Sequence, residues 1–160
     1  MSAVIATAQP GTPDSSFSKN GKTRTLIGSY YNLCKYVTIQ NDRKILAVGS
    51  AITGLGSTDS FALARYMPDG TLDKKFGNKG TVLLGVGTSY SYATYATILP
   101  KGKILVAGYS GGHYTGDFVL LRLKENGTPD SSFGTYGEII TDIGVQDIAK
   151  QIYFKLMVKL

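Results

Sequence analysis

The sequence predicts an all-β fold in which short antiparallel strands come in fours, one group to each copy of an internal repeat. Three observations carry this. Blocks of sequence recur in phase at intervals of 59 and 57 residues. The segments between clusters of Gly, Pro, Asn and Asp are short and rich in Val, Ile, Leu, Tyr and Thr, the composition of pleated strands. No stretch holds a helical period over about eleven residues.

The repeat is clearest in three heptads: Gly11-Thr-Pro-Asp-Ser-Ser-Phe17, Gly70-Thr-Leu-Asp-Lys-Lys-Phe76 and Gly127-Thr-Pro-Asp-Ser-Ser-Phe133. Each Phe is followed four positions later by a glycine, Gly21, Gly80 or Gly137. A second block pairs Tyr36–Gly49 with Tyr95–Gly108, and a third pairs Phe61-Ala-Leu-Ala-Arg-Tyr66 with Phe118-Val-Leu-Leu-Arg-Leu123. The difference in spacing falls in one loop, 51–58 against 110–115, as a surface insertion would. In phase, these blocks define a partial unit 1–28, full units at about 29–86 and 87–143, and a truncated unit 144–160, within a single repeat domain 1–160.

The best-defined copy predicts strands at about 81–86, 92–99, 103–109 and 117–124. Asn41-Asp42-Arg43 and Pro100-Lys101-Gly102 stand where tight hairpin turns are needed. In the heptads, Pro presets φ, and Asp14, Asp73 and Asp130 are placed to accept hydrogen bonds from backbone N–H groups two or three residues on. Phe17, Phe76 and Phe133 supply one large apolar anchor per copy. At the ends, Ser2–Gln9 stands in the place of 118–125, and 22–28 in that of 81–86 and 138–143. Ile148–Phe154 matches a first strand, and 156–160 a shortened second. With two whole units, this makes three groups of four strands.

Asp69-Gly-Thr-Leu-Asp-Lys-Lys-Phe-Gly77 and Gly102-Lys-Ile-Leu-Val-Ala-Gly108 resemble the delta-60 repeat, a bacterial family, and the resemblance covers nearly the whole chain. It implies a propeller-like architecture of four-stranded antiparallel blades from a repeat of about 58 residues, about three per chain. It implies no catalytic residues. The first copy departs from the pattern at Ser18, where the others have Gly77 and Gly134. Closed propellers have about four to eight blades, so three leave edges open. A homodimer of about six blades is expected, with composite blades where the ends of two protomers meet; the competing reading is a piece of a longer repeat protein or a three-blade open sandwich.

Composition bounds the function. A chain of 160 residues with 42% hydrophobic and 18% charged residues fits one domain that buries about 70% of its unfolded surface, not a solvated tail. The single Cys34 excludes an intrachain disulfide framework and a Cys-rich zinc module, and in a strand segment it reads as a buried small hydrophobe. No apolar run reaches the roughly 20 residues of a spanning helix, and residues 1–10 lack the pattern of an intact signal peptide. The compartment is undetermined. The net charge of +6 is uneven: residues 1–58 carry six basic and two acidic side chains, residues 116–160 five and six. Lys19, Lys22, Arg24, Lys35, Arg43 and Lys44 would track phosphates in a weak nucleic-acid reading, but they form no recognised module.

Catalytic, metal and cofactor residues are not expected. Asp14, Asp73 and Asp130 lack the dense acidic alternation of calcium loops, and their recurrence beside Pro and Gly favours a turn role. His113 is the only histidine, without nucleophile or partner ligands in sequence, and Gly54-Leu-Gly56 and Gly85-Val-Gly87 are turns rather than phosphate loops. Tyrosines stand out. Tyr30, Tyr31, Tyr90, His113 and Tyr114 form the candidate ligand-binding set, in loops 28–34, 51–58, 87–92 and 109–116. Exposed aromatics on a rigid β scaffold stack on sugars or peptide side chains. Tyr36, Tyr92 and Tyr95, within strands, are expected to pack. The expected function is a non-enzymatic scaffold for self-association and protein or carbohydrate recognition. The alternative is a hydrolase or lyase with a site the sequence does not reveal.

Overall fold

The computed structural model describes residues 11–54, 58–87, 90–112, 115–142 and 144. Eight strands form in chain order: β1 (Tyr31–Ile39), β2 (Ile45–Ile52), β3 (Ser60–Tyr66), β4 (Thr81–Leu84), β5 (Ser91–Ile98), β6 (Ile104–Gly112), β7 (Thr115–Leu123) and β8 (Glu138–Thr141). They make two four-stranded antiparallel meanders, ordered β1-β2-β3-β4 and β5-β6-β7-β8. The two sheets do not close on themselves. The expected strand boundaries hold to within two or three residues, but the grouping shifts: 81–84 pairs with β3 as the last strand of the first sheet, and 138–141 takes that place in the second. The expected strand at 22–28 does not form: only isolated bridges link Lys22 to Ser18 and Lys19. Its sequence partner, 2–9, lies outside the described residues, as do 148–154 and 156–160.

Both sheets share one local device. The first strand of each carries a bulge, between Cys34 and Tyr36 in β1 and between Ala93 and Tyr95 in β5. The bulge drives the backbone toward the second strand, where a Cβ on Gly49 would collide with the Leu33 carbonyl and one on Gly108 with the Tyr92 carbonyl. Only glycine fits a backbone approach this close. The recurrence of Gly49 and Gly108 is therefore a steric demand of the bulge.

Register sorts the side chains by face. Leu46, Val48, Phe61, Leu63 and Val82 share one face of the first sheet. All are 0–7% exposed, because β5 packs across β1, β2 and β3 there. The second sheet contributes Ala93, Ala96, Ile104, Val106, Val119 and Leu121 to the same core. Each fully buried Leu, Val or Phe is worth about 1.5–3 kcal/mol relative to exposure. This inter-sheet layer, more than either hairpin alone, holds the described chain together. Cys34 is exposed, contrary to the sequence expectation. Its equivalent, Ala93, is buried because a whole sheet covers it, whereas on the Cys34 face of the first sheet the described residues place only the preceding segment, with Thr25 bonded to Tyr66, and this leaves Cys34 exposed.

Candidate functional site

The meander topology gives the stack two ends of different character. The β1–β2 and β5–β6 hairpins and the heptads between β3 and β4 and between β7 and β8 lie at one end, the turn end. The connections β2–β3, β4–β5 and β6–β7 lie at the other, the loop end. Copies agree at the turn end and differ at the loop end.

At the turn end the heptads fold alike. The Phe N–H bonds the Asp carbonyl in each copy: Phe17 to Asp14 at 3.0 Å, Phe76 to Asp73 at 2.9 Å and Phe133 to Asp130 at 2.9 Å. The Asp side chain accepts from the backbone two residues on, from Ser16 at 2.9 Å, Lys75 at 3.1 Å and Ser132 at 3.2 Å. The three aspartates thus make the same local hydrogen bonds in each copy.

Two of the three aspartates also anchor ion pairs; of the basic members, the sequence reading singled out only Lys44, and for phosphate tracking rather than for this pairing. Asp73 Oδ2 lies 2.9 Å from both Arg65 Nε and Arg65 Nη2, with Lys44 Nζ at 3.4 Å. Asp130 Oδ2 lies 2.8 Å from Arg122 Nε and 2.8 Å from Lys103 Nζ. Each arginine also lies over its heptad phenylalanine, Arg65 at 4.4 Å from the Phe76 ring centre and Arg122 at 4.5 Å from that of Phe133. Arg65 Nη1 reaches across to donate to the Glu125 carbonyl at 2.6 Å. The signal was in the sequence: Lys44/Lys103 and Arg65/Arg122 recur in phase with the aspartates. In the first copy the position of Arg65 is taken by Ala6.

The electrostatics follow. Burial pushes the Asp73 carboxyl up, but the Lys75 N–H and the charges of Arg65 and Lys44 outweigh it and hold it below the usual carboxylate range. The hydrogen bond from Lys103, with those from Ser132 and the charge of Arg122, holds Asp130 well below it. Asp42 is also lowered: hydrogen bonds and charge from Lys44 outweigh a desolvation that raises it. These groups are committed to structure. Among the described residues, no cluster of three or more His, Cys, Asp or Glu is placed to hold a metal ion.

The loop end carries the aromatics. Tyr30 is 65% exposed, Tyr31 49% and Tyr90 44%. Tyr31 and Tyr90 take the same place in successive copies, beside the start of β1 and of β5. Backbone bonds fix both approaches: Tyr30 N–H to the Ile52 carbonyl at 3.1 Å, and Gly111 N–H to the Tyr90 carbonyl at 2.8 Å. Beside them Tyr92 and Tyr109 stack at 5.0 Å, and Tyr92 Oη donates to Asp59 Oδ2 at 2.8 Å. Burial, and then the Asp59 carboxylate, push the Tyr92 phenol up, so it stays protonated and serves as a donor. Tyr109 is raised by burial and by Asp59. Tyr36 and Tyr95 pack ring on ring at 4.4 Å, as expected of strand residues. His113 and Tyr114 lie outside the described residues.

Two segments of the chain, 40–76 and 99–133, match a domain of unknown function (DUF5122) described as a beta-propeller. The repeat is of the β-propeller kind. The matched segments run from the β1–β2 and β5–β6 turns to the heptad phenylalanines Phe76 and Phe133, so they contain the Lys–Arg–Asp–Phe network of the turn end. The exposed tyrosines of the loop end fall outside both segments. No curated protein and no solved structure matches the chain.

Proposed function

We propose that the protein is a non-enzymatic, propeller-type scaffold of about three blades, of the delta-60 kind, that self-associates as a homodimer and recognises a protein or carbohydrate ligand through its loop end. One observation carries the reading: the described network of charged side chains is spent on the repeated turn end, while exposed tyrosines stand at the loop end on fixed backbone. Tyrosine offers a large flat apolar face with a polar tip at low entropic cost, which suits a sugar ring or an extended peptide. The nucleic-acid alternative draws no comparable support, because Lys44 is engaged by Asp42 and Asp73.

The test is binding of the purified chain to glycan and peptide arrays, followed by titration of the best hits with a Tyr30→Ser/Tyr31→Ser/Tyr90→Ser variant. Each lost stacking contact costs about 0.5–1.5 kcal/mol, so affinity should fall by about tenfold or more with the melting temperature unchanged. Full affinity in the triple variant would overturn the reading.

A further inference from the structure

Three aspartates are buried among the described residues: Asp59 at 6% exposure, Asp73 at 5% and Asp130 at 4%. Asp73 and Asp130 each hold two basic side chains. Asp59 pairs with no lysine or arginine among the described residues, and its carboxylate accepts a bond from Tyr92 Oη at 2.8 Å. A carboxylate withdrawn from water without a counter-charge is costly, so this position calls for a cation that the described chain does not supply. Nor does the repeat require it. In phase, Asp59, Tyr92 and Tyr109 correspond to Gly116, Leu33 and Ser50 of the other copy. The turn-end pairs recur because both sheets need them, whereas this group belongs to one copy alone.

The surroundings fit a cation. Tyr92 stacks on Tyr109 at 5.0 Å, burial and the Asp59 charge act on both phenols, and Tyr90 beside them is 44% exposed. The faces of tyrosine rings attract cations. Charge at this end is also one-sided. The connections 53–59, 85–90 and 113–114 contain no lysine or arginine, while Asp59, Asp117 and Asp142 stand at or beside the loop-end termini of β3, β7 and β8. Salt screens exposed charges over about 8 Å, so the basic residues that give the chain its net +6 repel a cation held here only weakly. We propose that the loop end takes a protein ligand by a basic side chain, a lysine or arginine whose charge is received by Asp59 and whose stem lies against the neighbouring tyrosines. This rests on the loop-end recognition reading and decides its ligand in favour of a basic peptide over a neutral sugar.

An array of short acetylated, amidated peptides with a central lysine or arginine, paired with the same sequences carrying norleucine or citrulline, tests it beside an array of neutral glycans. The expected result is selection of the cationic peptides, by about tenfold or more over their neutral counterparts. Asp59→Asn keeps an oxygen that accepts from Tyr92 but loses the charge, and it should abolish that preference. Tyr90→Ser, at an exposed side chain, should weaken the cationic peptides by about threefold with the fold intact. Thermal melts separate this role from a structural one. Asp59→Asn removes an unpaired buried charge, so the melting temperature of the free protein should hold or rise. A fall as large as that of Asp73→Asn, or failure of Asp59→Asn to fold, overturns the inference, because the carboxylate is then a structural partner. Binding of peptides or glycans with no gain from positive charge, or a preference for charge that survives Asp59→Asn, also overturns it and leaves loop-end recognition standing. Binding to neither array overturns both.

Discussion

Replacing Asp73 by Asn removes one charge from the turn end and little else. The amide keeps the oxygen that accepts the Lys75 N–H, so the turn survives, but the carboxylate that receives both Arg65 nitrogens at 2.9 Å is gone. Arg65 is 3% exposed and cannot recover the interaction from water. Breaking a buried pair from one side costs about 3–5 kcal/mol. The lower end applies here, about 3 kcal/mol, because Arg65 keeps its bond to the Glu125 carbonyl and its place over the Phe76 ring. With a urea m-value of about 2 kcal/mol/M, the unfolding midpoint should fall by about 1.5 M at constant m. The repeat supplies its own controls. Asp130→Asn should cost less, because the Arg122 side chain is 21% exposed and water partly replaces the lost partner. Asp14→Asn should cost least, since that exposed aspartate makes only its local bonds to Ser16 in the described structure. Urea denaturation followed by far-UV circular dichroism ranks the three. An Asp73→Asn cost below about 1 kcal/mol, or equal losses at all three positions, would refute the claim that the pair is buried and structural.

Ser18 holds φ at +46°, where Gly77 and Gly134 sit at +52° and +55°. Ser18→Gly should thus relieve left-handed strain of about 1 kcal/mol, partly offset by glycine's unfolded-state entropy, and raise the midpoint slightly. Gly77→Ala should lower it by about 2 kcal/mol or more, because its Cβ would strike the Thr81 carbonyl, and thermal melts compare the two. Stability should be flat near neutral pH and fall as acid protonates Asp73 and Asp130. Their folded-state values are depressed, so their contribution is present above the unfolded value of about 3.9 and vanishes as pH drops through the folded ones. Melting curves from pH 7 to 2 check this, and a midpoint that holds steady below pH 4 contradicts it.

The strands were legible because the repeat supplied two readings of each, and turn residues bound every segment. The heptad aspartates were legible for the same reason: Pro and Gly around Asp14 and Asp130 specify a turn whatever surrounds it. What the sequence concealed was tertiary. Arg65 and Lys44 look like ordinary strand-surface charges, and only the packing of one sheet's turn under the next makes Arg65 a buried partner of Asp73. Cys34 has the local signature of a core residue, but its burial depends on a neighbouring sheet, not on its own strand. The segment 22–28 has the phase of an outer strand without a described partner to pair with. The loop-end tyrosines were legible as exposed aromatics, but their ligand is written in no local pattern.

The most direct measurement is the absolute mass of the unmodified chain in solution by light scattering over a wide concentration range. A species of twice 17.1 kDa is expected at high concentration, dissociating on dilution. A single 17.1 kDa species throughout would contradict it.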